Sequence, residues 1–223
     1  MIKALDKEHI KQIYNQTSSY YDWFHRVGTF NLDNRGRKFL VKHTVKNGDY
    51  ILDAGGGTGT TGLLALEKSG LNGKLVVLDA SKKMLKKAEF KAASKKYTER
   101  VTTQIGDMYE IPYPDNSFDV VLSTYSTCPL ENPAHAVQEM KRVLKPNGLL
   151  GIAHSTEPNG KIARYLTNLA EKLIWKFPRL SLGCRKIDLS NEIQKPGFTM
   201  IENKLIGLVP WYFRLIILKK IQQ

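Results

Sequence analysis

Asp53-Ala54-Gly55-Gly56-Gly57-Thr58-Gly59 follows a short apolar run, Tyr50-Ile51-Leu52, and precedes a second one, Leu63-Leu64-Ala65-Leu66. A strand, a glycine-rich turn and a helix in that order build a nucleotide cradle. Glycine is needed there because the backbone must turn sharply and admit a ligand with no Cβ in the way. On either side of this stretch the chain alternates between apolar runs and helical patterns. Tyr50–Asp53 reads as strand one, and the helix after the glycines ends at Gly70, a C-terminal stop. Lys74–Asp79 is strand two, and Ser81 caps a lysine-rich helix. Val101–Ile105 and Phe118–Ser123 are strands three and four. Asn132-Pro133 opens the next helix with a capping residue and a first-position proline, and Lys145-Pro146-Asn147-Gly148 stops it. Leu149–Ala153 is strand five. An apolar helix is expected from Lys161 to Phe177, ending at Pro178, and a short one near Asp188–Gln194. Pro196-Gly197 leads into two terminal strands, Phe198–Lys204 and Trp211–Lys219, joined by a loop containing Gly207 and Pro210. This alternation argues for an α/β protein with a mainly parallel sheet covered by helices on both faces.

The 223 residues suit one domain, with 42% hydrophobic and 25% charged residues. Its expected parts are a helical cap (1–48), a cofactor-binding core (49–155), an acceptor-covering helical insert (156–197) and a terminal strand pair (198–223). Cys128 and Cys184 are far apart, have no metal spacing and suggest no disulfide framework, so a reducing compartment is expected. Neither a signal core nor a run near the ~20 apolar residues needed to span a bilayer is present, so the expected location is the cytoplasm. The net charge of +13 invites a nucleic-acid partner. However, Met84, Leu85, Ala88 and Ala92 keep helical spacing, so most lysines of that segment fall on a solvated face. No nucleic-acid module accompanies the charge, and neither nucleic acid nor metal is expected.

Two fingerprints overlap in the glycine stretch. Gly57-x-Gly59-x-x-Gly62 fits a dinucleotide site, whereas Asp53-x-Gly55-x-Gly57-x-Gly59 fits enzymes that use S-adenosyl-L-methionine (SAM). Asp53, at the end of strand one, would repel a pyrophosphate but suits a ligand carrying an ammonium and a sulfonium. Asp79 ends strand two, where a carboxylate accepts ribose hydroxyls of either cofactor. Asp107, after strand three, is placed to accept from an adenine amino group. Three carboxylates along one cleft of a basic protein predict a locally acidic site for a cationic cofactor.

These residues, with Ile111-Pro112-Tyr113-Pro114-Asp115-Asn116-Ser117-Phe118-Asp119 and Arg142-Val143-Leu144-Lys145-Pro146-Asn147-Gly148, resemble class I SAM-dependent methyltransferases. The nearest branch contains the ubiquinone and menaquinone biosynthesis C-methyltransferases, and the resemblance covers roughly residues 10 to 220. It implies a Rossmann-like, seven-stranded sheet whose last strand is antiparallel. It also implies cofactor contacts along Asp53, Gly55, Gly57, Thr58 and Gly59, at Asp79 on the ribose, at Asp107 and Met108 around the adenine, and at Thr124. The sequence departs from that branch in Tyr125–Asn132 and in Tyr21-Asp22-Trp23-Phe24-His25, both on the acceptor side.

Methyl transfer from a sulfonium needs alignment and exclusion of water, and needs a base only when the acceptor must lose a proton. Candidate acceptor contacts are Tyr20, Tyr21, His25, Cys128 and His154, with Tyr21 and His154 the catalytic candidates. The apolar helix, with Ile162, Leu166, Leu169 and Leu173 beside Arg164, Lys172 and Lys176, suits a hydrophobic acceptor near anionic lipid heads. Packing against the core accounts for the same apolar residues. The expected activity is methyl transfer to a quinone precursor or phospholipid-like small molecule. The alternatives are an NAD-dependent oxidoreductase and a methyltransferase acting on nucleic acid or another polar acceptor.

Overall fold

The computed structural model describes residues 3–177, 181–193 and 197–222. Three near-continuous apolar runs become adjacent strands at the centre of the sheet: β1 (Tyr50–Ala54), β2 (Lys74–Asp79) and β4 (Phe118–Thr124). Strands buried on both faces read this way because neither face meets water. β3 (Val101–Ile105), β5 (Leu144–Ser155), β6 (Phe198–Leu208) and β7 (Trp211–Lys220) complete seven strands in the order β3-β2-β1-β4-β5-β7-β6. β1 to β5 are parallel, and β7 runs antiparallel to both β5 and β6. The order reverses between β1 and β4, so the crevice beyond their carboxyl ends is the ligand position for an open sheet of this kind.

The helices are α1 (Lys7–Thr17), α2 (Tyr21–Gly28), α3 (Leu32–Thr44), α4 (Thr60–Lys68), α5 (Lys82–Ser94), α6 (Pro133–Val143), α7 (Lys161–Trp175) and α8 (Ser190–Ile193). One core layer lies between the sheet and α3, α4 and α5, and contains Leu40, Leu66 and Ala88. The other lies on the opposite face under α6 and contains Val137, Met140 and Phe118. The caps are as expected: Ser81 accepts from the Met84 N–H, and Asn132 accepts from the His135 N–H with Pro133 at the first position. In α5 the buried residues are Met84, Leu85, Ala88 and Ala92, which leaves the lysines outward.

Two boundaries differ from the sequence expectation. β5 begins at Leu144, which pairs with Phe118 before the register shifts and pairing resumes at Val120 and Leu149. Lys145–Gly148 therefore turn within an irregular ladder rather than ahead of a fresh strand. β6 extends to Leu208 because Gly207 pairs with Tyr212 and Leu208 with Trp211, which reduces the expected loop to a tight hairpin. The expected ends at Pro178 and Gln194 and the Pro196 turn lie outside the described residues.

Candidate active site

The glycine stretch leaves β1 and turns into α4 with three left-handed residues, Gly55 at φ +67°, Gly57 at +55° and Gly59 at +73°. Space is as restrictive as angle. A Cβ on Gly55 would lie 2.5 Å from Ser126 Cβ and 2.8 Å from Met108 Sδ. Below this turn Asp53 is fully buried and accepts from the Gly62 N–H at 2.7 Å, while its Oδ1 has no partner among the described residues. Burial raises its carboxyl to about 6 against the Gly62 N–H and Arg37, which pull it down. Asp79, at the end of β2, accepts from Gly57 N at 2.9 Å and Ser81 N at 2.8 Å, and burial raises it to about 6 as well.

A cleft of about 1070 Å³, counted with the solvent at its open mouth, lies over this turn. Gly55, Gly57, Thr58, Asp79, Asp107 and Met108 form its floor, with Thr124 and Tyr21 also in the lining. The structure therefore brings together all but three of the expected site residues. Asp53 and Gly59 do not line the cavity: the Asp53 carboxylate is turned under the loop to hold Gly62, and Gly59 sits at the start of α4 against Ala88. His154 is the third. It is 2% exposed in the core, with Nδ1 3.1 Å from the Ser155 carbonyl, and burial pushes its imidazole down to about 4. It shares its face of β5 with Leu150 and Ile152, which pack in the layer under α6, and it does not line the cavity. Of the other acceptor candidates, Tyr20 is exposed and outside the lining, and Cys128 is buried, with its sulfur accepting from Ser155 N at 3.1 Å.

The expected acidic cleft is corrected by what folds over it. Lys7, Lys11 and Arg37 share the lining with Asp79, Asp107 and Glu131. Lys7 of α1 forms an ion pair with Asp107 that, with the Tyr109 N–H, holds the Asp107 carboxyl below its ordinary value against a burial cost. Asp22 of α2 accepts from Thr58 Oγ1 at 2.7 Å and Thr60 Oγ1 at 3.1 Å and pairs with Lys91 at 2.7 Å. Of the N-terminal helices, α2 thus clamps onto the glycine turn and α1 onto the loop after β3.

Arg37 was not anticipated from the sequence. It is 6% exposed, its Nη1 donates to Thr61 Oγ1 at 2.5 Å and Thr124 Oγ1 at 2.8 Å, and its guanidinium lies 5.0 Å from the Tyr125 ring centre. Asp33, one turn earlier, accepts from Thr29 at 2.9 Å, lies 3.0 Å from His25 Nδ1 and is 3.6 Å from Arg37 Nε. Burial alone would raise Asp33, but His25, Arg37 and Thr29 together hold it well below the usual carboxylate range. The signal was available: Asp33 and Arg37 fall in helical register with Leu40, Val41 and Thr44 on the buried face of α3. Charged residues on an apolar stripe announce a paired, buried network.

These groups fit SAM. The cradle is one that a Cβ would fill, Asp79 offers a half-buried carboxylate beside it, and Asp107 and Met108 form a partly apolar slot. A glycine cradle at the switch point of a seven-stranded sheet with an antiparallel final strand defines a Rossmann-like nucleoside-binding enzyme of the class I methyltransferase type. Residues 45–193 match the methyltransferase domain family, and the chain belongs to it. It is a SAM-dependent methyltransferase, which sets aside the nicotinamide reading of Gly57-x-Gly59-x-x-Gly62. It is 28% identical over 181 residues to the demethylmenaquinone methyltransferase of Lactobacillus johnsonii, covering 81% of this chain and 74% of that protein. It is 29% identical over 169 residues to a ubiquinone/menaquinone biosynthesis C-methyltransferase, UbiE, of Geotalea daltonii, covering 74% and 72%. A further demethylmenaquinone methyltransferase, from Symbiobacterium thermophilum, is 26% identical over 71% of this chain and 64% of its own length. Among solved structures, the [4+2]-cyclase SpnF superposes with a TM-score of 0.79 at 17% identity over 100% of this chain and 99% of that one. A SAM-dependent methyltransferase from Aquifex aeolicus superposes with a TM-score of 0.57 at 20% identity, covering 96% and 98%. At these identities the two structures speak for the fold alone.

Proposed function

We propose that the methyl acceptor is a hydrophobic, quinone-precursor-type molecule bound in the outer half of the cavity. The observation that carries this reading is the lining beyond the glycine floor: Leu5, Ile10, Tyr14, Tyr21, Pro129 and Leu130. That wall is apolar and aromatic and suits a flat, greasy ring. The relatives named for demethylmenaquinone support it. Bound SAM supplies an electrophilic methyl carbon on a neutral leaving group. The chain's own part is to hold and exclude. Asp79 and the Gly55–Thr58 backbone take the nucleoside end, Met108 and Asp107 flank the base, and Thr124 takes part through its place beside Arg37. Tyr14 and Tyr21, with ring centres 5.9 Å apart, wall off water from the acceptor. Arg37 sets a buried positive charge in the cavity wall, which lowers the cost of an anionic acceptor oxygen. Peripheral contact with anionic membrane fits an acceptor that resides in lipid.

The test is incubation with methyl-labelled SAM and a panel of acceptors: a demethylated isoprenoid naphthoquinone kept reduced, a phospholipid, a small thiol and RNA. The reading expects label in the reduced quinone ring, located by mass analysis. Label in the thiol or RNA with none in the quinone overturns it.

A further inference from the structure

The helix expected to cover the acceptor lines no part of the cavity and turns its longest apolar stripe outward. Along α7, Ile162, Leu166, Leu169 and Leu173 form a stripe at helical spacing, and they are 78%, 42%, 57% and 59% exposed. Tyr165 and Phe177 extend it and are also exposed. The side turned inward is mixed, with Thr167 buried and Ala163, Ala170, Glu171, Ile174 and Trp175 half-buried. Ile174 and Trp175 serve the packing of the helix, and core packing does not account for the exposed stripe. From these observations we infer that α7 is a docking helix that lies in the surface of an anionic bilayer with this stripe in the acyl boundary.

Charge decides the occupant. Lys161, Lys172 and Lys176 are exposed, run along one edge of the stripe and make no ion pair among the described residues. Arg164 is paired with Glu157 at 3.3 Å, and Glu171 points inward to Lys186 at 3.1 Å. The outer surface of the helix thus combines leucines and aromatics with unpaired cations, the composition of helices that lie in the interface of anionic lipid. The one carboxylate of α7, Glu171, is turned inward, so a second copy seated on the stripe would offer these lysines no partner on that helix. The inner face of α7 connects this surface to the active site. Glu171 Oε1 accepts from the Lys186 N–H at 3.0 Å, and the neighbouring Arg185 donates from Nη2 to the Leu130 carbonyl at 2.8 Å. Leu130 lines the cavity, so the docked helix is two contacts from the acceptor wall.

Flotation of the whole protein with vesicles tests this, with neither SAM nor acceptor present, so the result is independent of the acceptor reading above. Wild type is expected to float with vesicles of 70% phosphatidylcholine and 30% phosphatidylglycerol. It should bind pure phosphatidylcholine at least tenfold more weakly. The triple variant Leu166→Ser, Leu169→Ser, Leu173→Ser should lose at least tenfold in partitioning. Lys172→Glu with Lys176→Glu should lose the preference for anionic vesicles. SAM binding by calorimetry confirms that each variant is folded. Absence of flotation by the wild type, or equal flotation of the leucine variant, overturns the proposal. So does a concentration-dependent dimer in light scattering that the leucine variant abolishes without any vesicle binding.

Discussion

Asp53 sits at the hinge of the glycine turn with one carboxylate oxygen on the Gly62 N–H and the other without a partner among the described residues. Burial raises its carboxyl to about 6, above the ~3.9 of an unfolded chain. The folded state therefore holds this proton more tightly. Its favourable contribution is fully present below pH ~4 and is lost as pH rises through about 6. Above that pH the protein carries a buried charge whose cost the cradle tolerates for its geometry. Asp53→Asn keeps an acceptor for Gly62 and removes the charge. The variant without ligand is expected to gain about 1–2 kcal/mol at pH 7.5 and nothing at pH 4, read from urea midpoints at the two pH values. An equal effect at both pH values would mean that the gain has another origin. Asp53 was legible in the sequence as a strand-end carboxylate. Its direction was not, because a residue's position along a strand does not say whether its carboxylate faces the crevice or the loop beneath.

The helix ends were the most legible elements, since a cap is a local device set by a few consecutive residues. Asn132 accepts from the His135 N–H at 3.2 Å, and Pro133 occupies a position whose missing N–H costs nothing. Asn132→Ala should lower stability by about 1 kcal/mol in a urea titration, the ordinary value for a lost cap. Less legible was α3, with its buried Asp33–Arg37 pair. That pair acquires meaning from partners on other elements: Thr29 and His25 before it, and Thr61, Thr124 and Tyr125 far along the chain. The strand boundaries missed at Leu144 and Leu208 have the same cause. Pairing with Phe118 and with Trp211 extends those strands, and no local propensity records a cross-strand partner.

At the scale of the molecule, equally apolar segments have opposite fates. Leu218 of β7 is fully buried between β5 and β6, whereas Leu169 of α7 is 57% exposed. Leu218→Ala is expected to cost about 2–5 kcal/mol, and Leu169→Ala to stay within about 0.5 kcal/mol, in the absence of lipid. A large loss at Leu169 would show that the stripe packs against protein after all. Among the described residues no helix is long and apolar enough to cross a membrane, and no cluster of His, Cys, Asp and Glu is arranged to hold a metal.

By itself the sequence determined the strand-helix alternation, the caps and the glycine cradle, and the resemblance carried by its motifs implied the methyl donor. Each of these depends on residues near one another in the chain, where backbone freedom, periodicity and capping act. Only the tertiary structure decided that Asp53 turns under the loop, that Lys7 and Arg37 offset the acidic cleft, that His154 is buried away from the crevice, and that α7 shows its leucines to the outside. Those outcomes rest on which distant elements pack together, and burial and charge pairing are properties of the packed whole.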